Sequence, residues 1–286
     1  MNKILKFCFL LVGLSGCVTQ KQKKGDVEQS VFRSTLTFTT VKYIAIIPVE
    51  IDGEQKNLGF DTGADVSVVQ RDTLKGATSK IGGATNRKMV MGSEIIGSLK
   101  VGDVNFRNTY AVNANLVGLK EQIPNFGGFI GTPIISKANW LFNYPTKQLT
   151  ISNAPLADET FKSIKIKRKS GSPYTSINIE GKEYEAQIDL GSSSGISIPT
   201  GSALAAIILK KYNLSDTIRP VYTIGGLQTV KEKIGTLPNL KIGDIEFNNV
   251  SASIKPSVRL RIGSRFFADY ILCIDNIQGD FKVKMK

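Results

Sequence analysis

Two aspartates lie in matching short stretches of this 286-residue sequence. The first stretch is 58–65 (LGFDTGAD); the second, 186–193 (AQIDLGSS), places Asp189 128 residues after Asp61. A single aspartate at the end of an apolar strand is more typical of a turn than of a catalyst. Two carboxylates a few ångström apart could instead share a proton, and the ionised one could then take a proton from water.

The surroundings of the two stretches also match, in the same order along the chain. The matching segments are 47–53 with 175–181, 81–83 with 224–226, 100–106 with 241–247, 129–131 with 261–263, and 141–143 with 272–275. Five matched blocks in one order indicate an internal duplication. Two copies related by a pseudo-twofold axis would bring the aspartate loops face to face.

The patterning between these motifs predicts an all-β protein, a pair of barrels or sandwiches. Alternating and β-branched residues begin at Thr35 and are separated by Gly, Asn and Asp turns, and Asp52 with Gly53 is typical of a hairpin. The best helical run is 201–212. We expect one lobe at 35–155 and a second at 156–286. A short helix is also expected after each FIG or RIG segment of the repeat.

The N-terminus has the layout of a bacterial lipoprotein signal. Lys3 and Lys6 precede an apolar run at 7–14 that is too short to span a bilayer. The run ends in 14–17 (LSGC), which resembles a lipobox and marks Cys17 for lipidation. An ordinary secretory signal is the alternative. We predict a signal at 1–17 and a protein anchored by lipid in the bacterial cell envelope, on the periplasmic or surface face of a membrane.

The residues after the signal predict a flexible tether at 18–34, because they are polar and carry few large apolar side chains. Of the three cysteines, Cys8 leaves with the signal and Cys273 has apolar neighbours. We therefore expect Cys273 to be a core residue and no intramolecular disulfide to form.

The composition excludes several classes of catalyst. The chain has no histidine, so Ser-His-Asp and Cys-His nucleophilic sites are excluded, and a catalytic zinc site is disfavoured. The formal net charge of +13 raises the question of nucleic-acid binding. The basic residues are dispersed, however, and the tightest cluster, 162–169, alternates with isoleucines as an exposed strand would. We predict no nucleic-acid partner.

The motif 60–65 (FDTGAD) resembles the active-site loop of retropepsins, and residues from about 35 to 286 are similar to the pepsin/retropepsin clan of aspartic peptidases. This clan places a hydrophobic-hydrophobic-Gly segment beneath each loop. Segment 129–131 (FIG) fits that pattern well, and 261–263 (RIG) fits it less well. The resemblance implies two acid-protease lobes, each a small closed barrel, with a cleft between them, a water nucleophile, no metal and no cofactor.

Carried over by position, the resemblance makes Asp61 and Asp189 the catalytic dyad. It implies that Gly63 and Gly191 let the substrate backbone approach closely, since neither has a Cβ. It also implies that Thr62 hydrogen-bonds across the twofold axis and holds the two loops in register.

The resemblance further places substrate contacts on two other parts of the first lobe. Asp65 would accept a hydrogen bond from a substrate backbone N–H. Gly82 and Gly83 would belong to a flap at 81–92, which lacks the tyrosine that pepsins carry there.

The second loop departs from the family pattern. Leu190 replaces the expected Thr or Ser, so the reciprocal hydroxyl link cannot form. Among the dyad-supporting positions, Ser192 could donate a hydrogen bond to Asp189, whereas Ala64 cannot do so for Asp61. Our hypothesis is that Asp189 takes the ionised role and Asp61 the protonated one.

The sequence therefore predicts a monomeric, membrane-anchored aspartic endopeptidase that acts on peptides or proteins. The alternative is a catalytically weak or inactive lipoprotein that binds peptides in the same cleft, and Leu190 is the feature in its favour. A purely structural envelope lipoprotein would explain the lipobox but not the paired loops.

Overall fold

The computed structural model describes residues 20, 23–82, 88–223 and 226–285, and its secondary structure is mostly β-strand, as predicted. The strands up to residue 152 are β1 (Asp26–Val27), β2 (Arg33–Thr37), β3 (Thr39–Val41), β4 (Ile44–Ile51), β5 (Glu54–Phe60), β6 (Ser67–Gln70), β7 (Ser79–Gly82), β8 (Lys88–Val101), β9 (Val104–Ala114), β10 (Phe126–Ile130), β11 (Asn139–Asn143) and β12 (Gln148–Ser152). The later strands are β13 (Lys162–Ile164), β14 (Lys167–Lys169), β15 (Ser172–Ile179), β16 (Lys182–Asp189), β17 (Ile196–Pro199), β18 (Ser215–Thr223), β19 (Gly226–Ile242), β20 (Ile245–Lys255), β21 (Arg261–Gly263), β22 (Ile271–Asp275) and β23 (Asp280–Lys284). The helices are α1 (Val117–Lys120), α2 (Thr132–Ile135), α3 (Ala203–Lys211) and a 3-10 helix (Ser264–Phe267).

Within the described residues these strands form three sheets. One sheet has nine strands, β1 and β3 to β10, and a second has eight, β14 to β21. The third has six strands in the order β13-β23-β22-β11-β12-β2, so it draws strands from both halves of the chain. β11 and β22 are its central pair and join the halves, with Trp140 opposite Ile274.

The strands that flank the two aspartates pair in the same way in the first two sheets. β5 runs parallel to β10, and β16 runs parallel to β21. β6 pairs antiparallel with β10 and parallel with β9, while β17 pairs antiparallel with β21 and parallel with β20. Asp61 follows the last residue of β5, and Asp189 is the last residue of β16. Equivalent strands therefore position both aspartates.

The predicted hairpin at Asp52 and Gly53 is confirmed. Both residues have positive φ, 49° and 89°, and they connect β4 to β5. Glu180 and Gly181 do the same between β15 and β16, with φ of 55° and 74°. Two left-handed residues in succession match the right-handed twist of the flanking strands, which explains why a glycine follows the acidic residue in each turn.

The structure corrects the predicted start of the fold at residue 35 and the tether at 18–34. Asp26–Val27 pairs with β9, and the backbone N–H of Glu28 donates to the carbonyl of Asn105 at 2.9 Å. Strand β2 begins at Arg33 and completes the edge of the six-stranded sheet against β12. The polar composition of this segment suggested a linker because a short edge strand needs few buried side chains.

Large aromatic residues pack behind the first aspartate. Phe60, immediately before Asp61, is fully buried, and its ring centroid lies 4.7 Å from that of Phe142 and 5.1 Å from that of Trp140. Ile188, which precedes Asp189, is also fully buried. Because both preceding residues are fixed in the core, both aspartates leave it at defined points.

Other predictions for local structure are also confirmed. Helix α3 lies within 201–212, and the Ser202 hydroxyl caps it by accepting from the N–H of Ala205 at 3.1 Å. Strands β13 and β14 within 162–169 are exposed except for Ile164. Cys273 is buried, and this burial raises the pKa of its thiol to about 12.

Some predictions fall on residues outside the described ranges. These are the signal segment 1–17 with Cys17, Gly83 in the expected flap, and most of 224–226. Among the residues that are described, none of the helices has the length and apolar character needed to cross a membrane.

Candidate active site

The loops that carry Asp61 and Asp189 lie against each other. A Cβ built on Gly191 would fall 2.3 Å from Cγ of Asp61, and one built on Gly63 would fall 2.7 Å from Cγ of Asp189. Side chains do not tolerate such distances, so each glycine makes room for the carboxylate of the opposite loop. The two carboxyl groups also lie close enough to interact, since Asp189 raises the pKa of Asp61. The predicted dyad residues are therefore in contact.

The pair is electrostatically asymmetric. Burial, and then the charge of Asp189, raise the pKa of the Asp61 carboxyl well above its ordinary value. The backbone N–H of Gly63, which donates to Oδ1 of Asp61 at 2.8 Å, and the nearby Arg261 oppose this rise without cancelling it. Two adjoining carboxyls cannot both ionise cheaply, so the pair shares one proton, and the raised pKa of Asp61 favours that proton on Asp61.

Arg261 forms a buried ion pair with the other member of the dyad. Its Nε lies 3.3 Å from Oδ2 of Asp189, and only 8% and 12% of the two side chains are exposed. The same Nε is 3.4 Å from Oε1 of Gln187. The guanidinium stabilises negative charge on Asp189 in a site with little water.

The expected source of this asymmetry was the Ser192 hydroxyl, and the structure supplies a different one. In the described part of the chain that hydroxyl is not among the hydrogen-bond donors to Asp189, whose carboxylate faces Arg261. The sequence contained a signal for this different source, because in 261–263 an arginine occupies a position where the family pattern has a hydrophobic residue.

Thr62 connects the two loops as predicted. Its hydroxyl donates to the backbone carbonyl of Ile188 at 2.7 Å and accepts from the backbone N–H of Leu190 at 3.0 Å. The Leu190 side chain is buried in the hydrophobic core, so it returns no hydrogen bond. The Thr62 hydroxyl alone therefore makes the link between the loops that two hydroxyls, one from each loop, would make in a symmetric pair.

Two further hydroxyls, those of Thr132 and Ser264, hydrogen-bond to backbone carbonyls of the two loops. The N–H and hydroxyl of Thr132 both donate to the carbonyl of Ala64 at 3.0 Å. The N–H and hydroxyl of Ser264 donate to the carbonyl of Ser192 at 2.8 and 2.9 Å. Sequence analysis missed these two residues, although each directly follows the glycine of a matched segment.

Asp65 connects the first loop to the second half of the chain. The Ser172 hydroxyl, at the start of β15, donates to Oδ1 of Asp65 at 2.8 Å. Burial raises the pKa of Asp65, and this hydrogen bond partly opposes the rise. The predicted contact of Asp65 with a substrate N–H stays a prediction, since the structure contains no ligand.

The expected flap is a hairpin in the part that is described. Gly82 is the exposed last residue of β7, which pairs with β8 from Ser79 opposite Met91 to Gly82 opposite Lys88. Residues 83–87 lie outside the described ranges. In the second half, β18 and β19 form the corresponding hairpin.

Among the residues that the structure describes, no group of three or more His, Cys, Asp or Glu side chains is arranged to hold a metal ion. No protein-family model matches this chain, and no curated protein matches it. The chemistry of the site is therefore derived from its geometry.

Proposed function

We propose that this protein is an aspartic endopeptidase that hydrolyses peptide bonds with a water molecule activated by Asp61 and Asp189. The observation that carries the proposal is the contact between the two loops. Each loop glycine lies against the carboxyl of the opposite aspartate, and the charge of Asp189 helps to raise the pKa of Asp61. A turn aspartate would be solvated, whereas here Asp189 is buried and Asp61 is only partly exposed.

The asymmetry of the pair assigns the two roles. Ionised Asp189 takes a proton from a water whose oxygen attacks the peptide carbonyl carbon, while Asp61 gives its proton to the carbonyl oxygen. In the breakdown step Asp189 returns the proton to the leaving nitrogen, and a hydroxyl of the tetrahedral intermediate returns one to Asp61. The C–N bond breaks, and the dyad regains its single shared proton.

The proposal includes a two-lobed fold, with lobes at about 35–155 and 156–286, each a closed barrel, related by a pseudo-twofold axis. The pairing of β8 with both β4 and β9 supports closure of the first lobe. The pairing of β15 with both β16 and β19 supports closure of the second. The matched pairings around the aspartates support the axis.

One pair of observations favours a second candidate, a catalytically weak protein that binds peptides in the same cleft. Leu190 leaves the link between the loops one-sided, and Arg261 already occupies Oδ2 of Asp189, an oxygen that would otherwise be free to accept a proton from water. The protein would then bind peptides without cutting them.

We also propose that the protein acts as a monomer held at a membrane of the bacterial envelope by a lipid on Cys17. The motif at 14–17 supports the anchor. The presence of both aspartates on one chain supports the monomer, because no second copy is needed to complete the dyad.

The test is cleavage of a mixed peptide library by the full-length protein in mild detergent, from about pH 3 to 8, where carboxylate dyads titrate. We expect cleavage by the wild type and its loss in both Asp61→Asn and Asp189→Asn. Asp72→Asn, which changes an exposed aspartate outside the site, is the matched control. Binding of peptides without cleavage at any pH would instead support the second candidate.

A further inference from the structure

The second half of the chain holds a cluster of three cations connected through Lys255, and one of them, Arg261, binds Asp189. Besides Arg261, they are Arg219 on β18 and Lys255 at the end of β20. Lys255 interacts electrostatically with Asp189 and with both arginines. Arg261 and Lys255, the two members of the cluster that interact with the dyad carboxyls, both come from the second half of the chain.

The carboxylates near this cluster already have partners. Glu232, whose side chain is fully buried, binds Nε of Arg219 and lies 3.4 Å from another nitrogen of the same guanidinium. Asp189 binds Arg261. With the shared proton on Asp61, three cations face two anions, and the surplus positive charge falls on Lys255.

Lys255 has only a neutral hydrogen-bond partner among the described residues. Its Nζ donates to the hydroxyl of Ser194 at 2.7 Å, and none of the described carboxylates lies within the 4.0 Å of an ion pair. Burial lowers the pKa of Lys255 to about 8, although the charge of Glu232 opposes this shift. The group is still mostly protonated at pH 7. Lys255 is only partly exposed, so its ammonium lacks both full hydration and a counter-ion, and an incoming anion would lower the cost of that state.

We propose that Lys255 and Ser194 form a subsite for a carboxylate side chain of a peptide substrate, an Asp or Glu close to the bond that is cut. Ser194 belongs to the same loop as Asp189, only five residues further on, which places the subsite next to the reacting peptide bond. The inference rests on the proposed function and names its substrate class: acidic peptides.

The site distinguishes a side-chain carboxylate from a neutral amide of the same shape. A carboxylate oxygen would accept from the Lys255 ammonium in a charge-assisted hydrogen bond, and the Ser194 hydroxyl is a second donor within reach. A Gln side chain offers the same carbonyl geometry without the charge. Arg219 and Arg261 add long-range attraction while keeping their own partners.

The experiment compares peptide pairs that differ only by Glu or Gln at each of the positions flanking the cut. We expect the wild type to prefer the Glu peptide at one position by roughly tenfold to a hundredfold in kcat/KM. In Lys255→Met the preference falls to about threefold or less, and in Lys255→Arg it is retained. Lys182→Met, at the exposed start of β16, keeps the wild-type preference.

Binding of the same peptide pairs is measured by calorimetry with Asp61→Asn, alone and combined with Lys255→Met. This separates the two proposals. A Glu preference in binding that depends on Lys255 supports the subsite even where no peptide is cut. Cleavage or binding with no Glu preference, or with a preference that survives in Lys255→Met, overturns the subsite and leaves the endopeptidase intact. Failure to bind any peptide overturns both.

Discussion

The Asp61 loop and the Asp189 loop follow equivalent strands and lie over equivalent glycine segments, yet their side chains contact different partners. In the first loop, Thr62 supplies both hydrogen bonds that link the loops, and the Gly63 N–H donates to Asp61. In the second, Leu190 is a core residue, and Arg261 binds Asp189. Thr62 of the first loop therefore holds the two loops together, whereas the aspartate of the second loop has a positive charge beside it.

This difference shows how a duplicated scaffold can assign two roles to two identical residues. The backbone position of each aspartate is determined by strand pairing, which the two halves share. The protonation state is set by a neighbour, which they do not share. A symmetric pair would leave the position of the proton undecided, whereas here burial and Arg261 decide it.

Removing one carboxylate at a time will have unequal effects on stability. Asp189→Asn leaves the Arg261 charge buried and uncompensated, so the free energy of unfolding falls by about 3 kcal/mol. Asp61→Asn removes a carboxyl with a raised pKa and no cation of its own, and we expect no loss at neutral pH. Urea denaturation measures both, and equal losses would contradict the asymmetry.

The same pair predicts a pH dependence with a definite sign. Because the folded-state pKa of Asp61 lies above its ordinary 3.8, its contribution to stability is fully present below 3.8 and is lost as pH rises through the folded value. The wild type therefore loses stability across this window, and Asp61→Asn lacks that loss. The difference between their urea midpoints at several pH values is the measurement.

Adding a methyl group at the loop glycines will change the close packing around the carboxyls without changing any charge. Gly191→Ala places a Cβ 2.3 Å from Cγ of Asp61, and displacement of the carboxyl lowers kcat/KM by about a hundredfold. Gly63→Ala has the same effect on Asp189. Gly235→Ala is the control, since its Cβ would meet Cγ of Leu214 at 3.1 Å and the backbone carbonyl oxygen of Asn213 at 3.3 Å, and neither dyad carboxyl. Full activity in Gly191→Ala would refute the contact.

Thr62→Val will break the link between the loops. Two hydrogen bonds disappear and the N–H of Leu190 is left buried without a partner, so we expect a loss of about 2 kcal/mol in unfolding free energy. Thr62→Ser keeps the hydroxyl and serves as the control. An unchanged stability in Thr62→Val would mean that packing alone holds the loops together.

Arg261→Met will shift the pH–rate profile. The guanidinium lowers the pKa of Asp61, so without it the shared proton is held more tightly and the basic limb of the profile moves to higher pH. The profile of kcat/KM over pH measures this shift directly. If the basic limb did not move, Arg261 would not be the residue that adjusts the pKa of the dyad.

Ser192→Ala should have the smallest effect, about twofold or less in kcat/KM, because the loop is held through the Ser192 backbone carbonyl and Arg261 supplies the charge beside Asp189. An altered pH–rate profile in this variant would restore the original hypothesis that its hydroxyl biases the dyad.

The sequence by itself determined the repeat, the all-β class, the hairpin turns and the two aspartates. These follow from local patterns: alternation, turn chemistry and matched blocks depend on neighbouring residues alone. It also indicated Thr62 as the linking residue. It misjudged 26–34, because an edge strand with few buried side chains has the composition of a linker.

Only the tertiary structure decided which partners the aspartates have. Arg261 is 72 residues from Asp189 in sequence, and Ser172 is 107 residues from Asp65. Such contacts form when distant strands become neighbours, and no local pattern specifies them. The same holds for Lys255, whose missing counter-ion becomes visible only once β20 lies beside the Asp189 loop. Charges act through space, and the fold sets the distances between them.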